Sequence, residues 1–238
     1  MGMIRFCLVI VLVFALAAMA QSQSLVEKSL RRATLLRSGF SHSFSDSIDV
    51  AWLNHYATDS ASEGNDRALA IAIDEAGNVY VTGSSASPFY GQDFYTLKYR
   101  ATGELVWSAR YNGTGNWHDE AQAIAVDGHG SVYVTGKSWG TDSSNDFAVV
   151  KYDSTGVQQW ACRYDSPQHN DDQASAIAVD NSGNVVVTGM SIDVVTFMSI
   201  GITVFYGSAG IERWVVRHGK GDDFDQSMAL EISSNYHI

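Results

Sequence analysis

Proline is nearly missing from this chain, with two residues among 238. Glycine numbers 21, so its tight turns must be glycine turns, and proline-stiffened loops are excluded. Cysteine is equally scarce. Cys7 lies in an apolar N-terminal run, which leaves Cys162 alone in the remainder and excludes an internal disulfide framework there. Cys162 follows Trp160 by two residues and reads as a small buried apolar side chain. Basic charge is short as well, with 15 Lys and Arg against 26 Asp and Glu, a net charge of −11. That balance argues against nucleic acid, whose phosphates need a basic surface, and leaves cations, neutral glycans or proteins as partners. Catalytic signatures are missing too. The seven histidines form no HxH or HExxH pattern, and CxxC does not occur. No stretch of the repeated region has a helical period.

What is present begins with a leader. Arg5 is the only charge before Glu27, and residues 6–20 are unbroken apolar, ending Ala18-Met19-Ala20. This is the pattern of a secretory signal peptide over 1–20. At 15 residues the run is short of the roughly 20 that a spanning helix needs, so no membrane span remains after its removal. Residues 21–46 are Ser-rich, aperiodic and mildly basic, and read as a linker or arm. Residues 47–238 carry the acidity and a repeat.

The repeat has a countable period. Asp74, Asp127 and Asp180 are 53 residues apart, as are Gly83, Gly136 and Gly189. Trp107, Trp160 and Trp214 keep almost the same step, and so do Asp66, Asp119, Asp172 and Asp225. Within the middle unit, 121–127, 131–136, 147–153 and 157–164 alternate or are rich in β-branched and aromatic residues, and Gly, Asn, Asp and Ser separate them. Four short strands per period of about 50 residues make a four-stranded antiparallel propeller blade. A lone blade cannot bury both faces, which is why the motif recurs. The tryptophans are expected between blades. Asp74, Asp127 and Asp180 each open a turn whose second-last residue is glycine.

The segments "AIAIDEAGNVYVTGSS" and "AIAVDGHGSVYVTGKS", each continued by an Asp-Phe, a Lys-Tyr and a tryptophan, resemble the seven-bladed beta-propeller repeat, or SBBP repeat, family. The resemblance implies an all-β propeller, found mainly in secreted or surface-exposed bacterial proteins, and no general catalytic assignment. The third unit departs from the pattern, with Ser199-Ile200 in place of Asp-Phe and Phe205 in place of lysine. The "KYDSTGVQQW" segment is also similar to the tryptophan-docking motif of quinoprotein dehydrogenases. The vicinal cysteines of that group are missing, so the likeness implies shared packing and no quinone cofactor.

Three units, near 66–111, 119–164 and 172–218, are complete; a lone strand over 50–56 and a partial unit after Asp225 flank them. The expectation is therefore an incomplete ring: a truncated fragment of a larger propeller, several chains completing one ring by self-assembly, or an open arc. Asp66, Asp119, Asp172 and Asp225 each precede the innermost strand of a unit and would meet at one mouth of the channel. There they would hold a cation such as calcium, or cap backbone N–H groups. Arg110, Arg163 and Arg217, three residues past each tryptophan, read as solvated edge charges. The functional expectation is a secreted, non-catalytic binding or structural module with an unknown protein or glycan ligand. The alternative is a propeller-fold polysaccharide lyase or hydrolase acting at the channel mouth.

Overall fold

The computed structural model describes residues 52–54, 66–87, 91–141, 144–192 and 198–219. The chain divides into two compact units, Met1–Ala57 and Thr58–Ile238. Of the first, only residues 52–54 are described, and they are not in a strand. The predicted leader and arm lie outside the described residues, as does the predicted partial unit with Asp225.

The second unit holds twelve strands in three sheets. The first blade contains β1 (Arg67–Ile73), β2 (Val79–Ala86), β3 (Gln92–Tyr99) and β4 (Leu105–Tyr111). The second contains β5 (Asp119–Val126), β6 (Val132–Trp139), β7 (Asn145–Tyr152) and β8 (Gln158–Tyr164). The third contains β9 (Asp171–Val179), β10 (Val185–Ile192), β11 (Ser199–Tyr206) and β12 (Glu212–His218). Each is an antiparallel meander in sequence order, as the repeat predicts. Among the described residues the sheets close no ring.

Two apolar cores separate the three blades, and the middle blade feeds both. Val132, Val134, Ala148 and Val150 pack toward Tyr80 and Phe94 of the first blade. Their alternates Tyr133, Phe147 and Val149 pack toward Val185, Val187, Ile202 and Val204 of the third. Side chains of a strand alternate between its two faces, so a strand buried on both must be apolar throughout. That accounts for the near-continuous apolar runs of β6 and β7.

The glycine of the VTG motif is required by the inner strand. β1, β5 and β9 each carry an extra residue, Leu69, Gln122 and Ser175, where the register slips opposite that glycine. The bulge pushes the inner backbone against the glycine. A Cβ at Gly83, Gly136 or Gly189 would lie 1.9, 2.0 or 2.1 Å from a carbonyl oxygen of the neighbouring strand.

Candidate functional site

Each blade has two ends. At one, β1–β2-type and β3–β4-type turns cluster; at the other, loops pass from blade to blade.

At the turn end the aspartates act locally. Asp127 Oδ1 accepts the N–H groups of His129 and Ser131, both at 2.9 Å, and Asp74 and Asp180 repeat the arrangement. The turn glycines sit in the left-handed region, Gly130 at φ 79°. Tyr80 and Tyr133 donate to Asp74 and Asp127 at 2.9 and 3.1 Å. Lys98 and Lys151 lie over those tyrosine rings, each 5.0 Å from the centroid. The third blade exchanges both members of this cross-strand pair, for Val186 and Phe205. Phe205 instead stacks on Trp214 at 5.3 Å.

The tryptophans bind blade to blade, as expected. Trp107 Nε1 donates to the carbonyl of Ser154 and Trp160 Nε1 to that of Ser208, each at 3.1 Å. Each indole covers a turn glycine of the next blade; a Cβ on Gly156 or Gly210 would fall 2.7 or 2.8 Å from the ring. Trp214 is left 38% exposed. Cys162 packs partly buried against the core between the second and third blades, and burial pushes its thiol up to about 12, so it stays protonated.

At the junction end the repeated aspartates start the inner strands. Asp119 Oδ2 accepts the Gly113 N–H at 2.6 Å and Oδ1 that of Trp139 at 3.1 Å. Asp172 Oδ2 accepts the Ser166 N–H at 2.6 Å. Asp66 Oδ1 accepts the Ala86 N–H at 3.3 Å. These bonds tie the incoming loop, or the end of the second strand, to the inner strand. Burial raises the pKa of Asp119 and pushes that of Asp172 up to about 6. Asp225 lies outside the described residues.

Arg110 and Arg163 correct the expectation of solvated edge charges, whereas Arg217 in the outer strand of the third blade is exposed. Arg163 is turned inward, its side chain 19% exposed. Its Nε and Nη2 donate to Asp146 Oδ2 at 3.0 and 2.6 Å, Nη1 to Ser138 Oγ at 2.6 Å and Nη2 to the Ser138 carbonyl at 2.7 Å. Arg110 does the same in the first blade, with Asp93 at 2.9 Å and Ser85 Oγ at 3.1 Å. A guanidinium has five donors in a rigid fork, so it can satisfy a carboxylate and a strand end together. In the third blade the clamp is broken. Ile200, the strand partner of Ser191, stands where the carboxylate should be, and Arg217 donates to Tyr164 Oη at 3.3 Å.

The loops between blades share one frame and display different side chains. Gly113 and Ser166 are held by Asp119 and Asp172. Asn116 and His169 both take positive φ, 49° and 51°, and their N–H groups donate to the carbonyls of Gly113 and Ser166. Asn112 bonds Asn116 at 2.9 Å where Asp165 bonds His169 at 2.6 Å. On this frame the first loop presents Trp117, 46% exposed and edge-to-face with His118. Beside the second loop an open, mixed-polarity cleft of about 510 Å³ is lined by Arg163, Asp165, Glu212 and Arg217 among others. Asp146, Asp165 and Asp172, from β7, the loop and β9, bring one carboxylate oxygen each within 4.8 Å of the others. Sequence reading singled out only Asp172 of these three, because the other two belong to different positions of the period.

Comparison with known proteins agrees with this architecture. The sequence profile of the Beta-propeller repeat family, SBBP, matches residues 60–90 and 106–142. These two segments match SBBP beta-propeller repeats. These SBBP segments span the first blade's inner strands and the passage from β4 into β6. The chain is 26% identical over 176 residues to an uncharacterised WD repeat-containing protein of Acanthamoeba polyphaga mimivirus, covering 64% of this chain and 12% of the relative. It is 31% identical over 125 residues to the regulatory protein FlaEY of Caulobacter vibrioides, covering 46% of this chain and 13% of the relative. The chain thus spans about an eighth of these curated relatives. A solved alpha-L-arabinofuranosidase of Clostridium thermocellum aligns at 15% identity and a TM-score of 0.39, covering 63% of this chain and 54% of that one.

Proposed function

We propose that this SBBP repeat protein is a secreted or surface-exposed, non-catalytic binding module that recognises a protein or glycan through its junction-end loops. One observation carries the reading. The two loops 112–118 and 165–171 have the same backbone frame, bonded to Asp119 and Asp172 at the same 2.6 Å, yet the first presents an exposed Trp117 and His118, whereas the second has a buried Asn170 and a half-buried Asp171 there and presents His169 instead. A fixed frame with changing side chains is how a rigid scaffold carries recognition. An exposed indole beside an imidazole suits stacking on a sugar face or packing on a peptide. The leader-like 1–20 segment supports export.

The test is affinity electrophoresis of the purified chain on a panel of polysaccharides, with cell-surface protein extracts in parallel. Retardation lost in Trp117→Ala, with an unchanged melting temperature, is the expected result. Release of reducing ends or of unsaturated sugars during the assay would instead make the protein a glycan-cleaving enzyme and overturn the non-catalytic reading. Export is tested by fusing residues 1–46 to a reporter active only outside the cytoplasm; an inactive fusion removes that part of the proposal.

A further inference from the structure

The broken clamp of the third blade leaves an electrostatic gap. In the first two blades an arginine supplies the serine hydroxyl at the end of the second strand with a donor: Arg110 to Ser85 and Arg163 to Ser138. Ser191 is the third-blade counterpart. It pairs with Asp172 across β9 and β10, and its hydroxyl sits beside the Asp172 carboxyl. Arg217 has turned away to Tyr164, and among the described residues no arginine reaches Ser191 Oγ or Asp172 Oδ1. Both residues are enclosed, at 1% and 0% exposure. The serine hydroxyl can donate to the Asp172 carboxylate beside it, but this buried pair lacks the positive charge that an arginine brings to the matching serine in the other two blades, and a cation would supply it.

The rest of the surroundings supply negative charge. The carboxylates of Asp146 and Asp165 approach Asp172 within 4.8 Å. Arg163 neutralises one charge, bound to Asp146 Oδ2. With His169 neutral, three carboxylates against one guanidinium leave a surplus of two negative charges. Asp165 Oδ2 is held by His169 Nδ1 at 2.6 Å, the kind of outer contact that orients a metal-binding carboxylate. Asp165 is exposed, which leaves the site open to solvent beside the cleft with Glu212 and Arg217.

We propose that Asp146, Asp165, Asp172 and Ser191 form a divalent-cation site at the junction of the second and third blades, taking Ca²⁺. All the donors are oxygen, and their irregular placement suits a large hard cation that completes its shell with solvent, not one demanding a strict octahedron. The first junction does not match it. There Asn112 stands for Asp165, and Asp119 Oδ1 and Ser138 Oγ already have N–H donors.

The experiment is calorimetric titration of the chelator-stripped full chain with CaCl₂, with thermal melts in parallel. One equivalent of heat and a rise in melting temperature are expected. Asp165→Asn should weaken binding by at least about tenfold while leaving the calcium-free melting temperature unchanged, since asparagine occupies the matching place in the first loop. Asp172→Asn should abolish binding. The proposal is overturned by the absence of both heat and a melting shift up to about 10 mM CaCl₂, beyond the range of weak extracellular sites. It is equally overturned if Asp165→Asn binds like the parent, or if Asp119→Asn removes the heat, since the ion would then sit elsewhere.

Discussion

Gly136 and Gly128 differ in what a methyl group would meet. At Gly136 it would collide with the Glu120 carbonyl at 2.0 Å; at Gly128 it would meet nothing within 4 Å. Gly136→Ala should cost about 1–3 kcal/mol, as overpacking does, and Gly128→Ala should stay within about 0.5 kcal/mol of the parent. Urea midpoints of the two variants decide the matter; equal midpoints would remove the packing explanation for the repeated VTG glycine. Asp119 gives a second test. Burial raises its pKa above the ordinary 3.8, so the folded state holds the proton more tightly than the unfolded chain. Stability from this group therefore declines as pH rises from 3.8 through the raised folded value. Asp119→Asn should flatten the pH dependence of the urea midpoint in that window; curves parallel to the parent would refute it. Single residues were the least legible scale in the sequence. The alternation rule sent Arg163 to the side away from Trp160 correctly, but could not show that β7 brings Asp146 within 2.6 Å of it. Asp146, Asp165 and Asp172 are likewise brought together by two different blades and the loop between them, a relation that spacing within one unit does not encode.

At the scale of elements, strands and turns were readable almost residue by residue. The predicted strand 147–153 is β7, Asn145–Tyr152, and the predicted 157–164 is β8, Gln158–Tyr164. Legibility came from three agreeing signals: β-branched composition, glycine turns and repetition. The tryptophan between blades was equally plain. Trp160→Ala should cost about 3–5 kcal/mol; Trp214→Ala, already 38% exposed, should cost clearly less. Similar losses by chemical denaturation would show that the seat on the neighbour's glycine is unimportant. The paired exchange of Tyr and Lys for Val186 and Phe205 invites a double-mutant cycle. Val186→Tyr with Phe205→Lys should show a favourable coupling of about 0.5–1 kcal/mol, recreating a ring and an ammonium on facing strands. Strictly additive effects would mean that the two exchanges are independent.

At the scale of the molecule, each sheet packs on its sequence neighbour, so stability is close to a sum of blade and interface contributions. The third blade lacks the arginine clamp and the lysine–tyrosine pair, and its outer strand is largely exposed. Hydrogen exchange should therefore run faster in β10 and β11 than in the corresponding β6 and β7. Uniform protection across the three blades would mean that they unfold as one cooperative body. The number of blades in a closed ring was the least legible property at this scale, because each period specifies its contact with the next and carries no count.

The seating of each indole on the next blade's glycine has a consequence for how such chains change over generations. Trp160 reaches forward to Gly210, and Gly156 receives Trp107 from behind. Plug and socket lie within one period and point the same way. A tandem duplication of any in-frame stretch of one period, wherever its breakpoints fall, then carries a matching plug and socket into the new copy. The gene can lengthen or shorten by whole blades without inventing a new joint. Decay of one blade's charged clamp, as at Ile200, leaves that joint intact and frees the blade for another use.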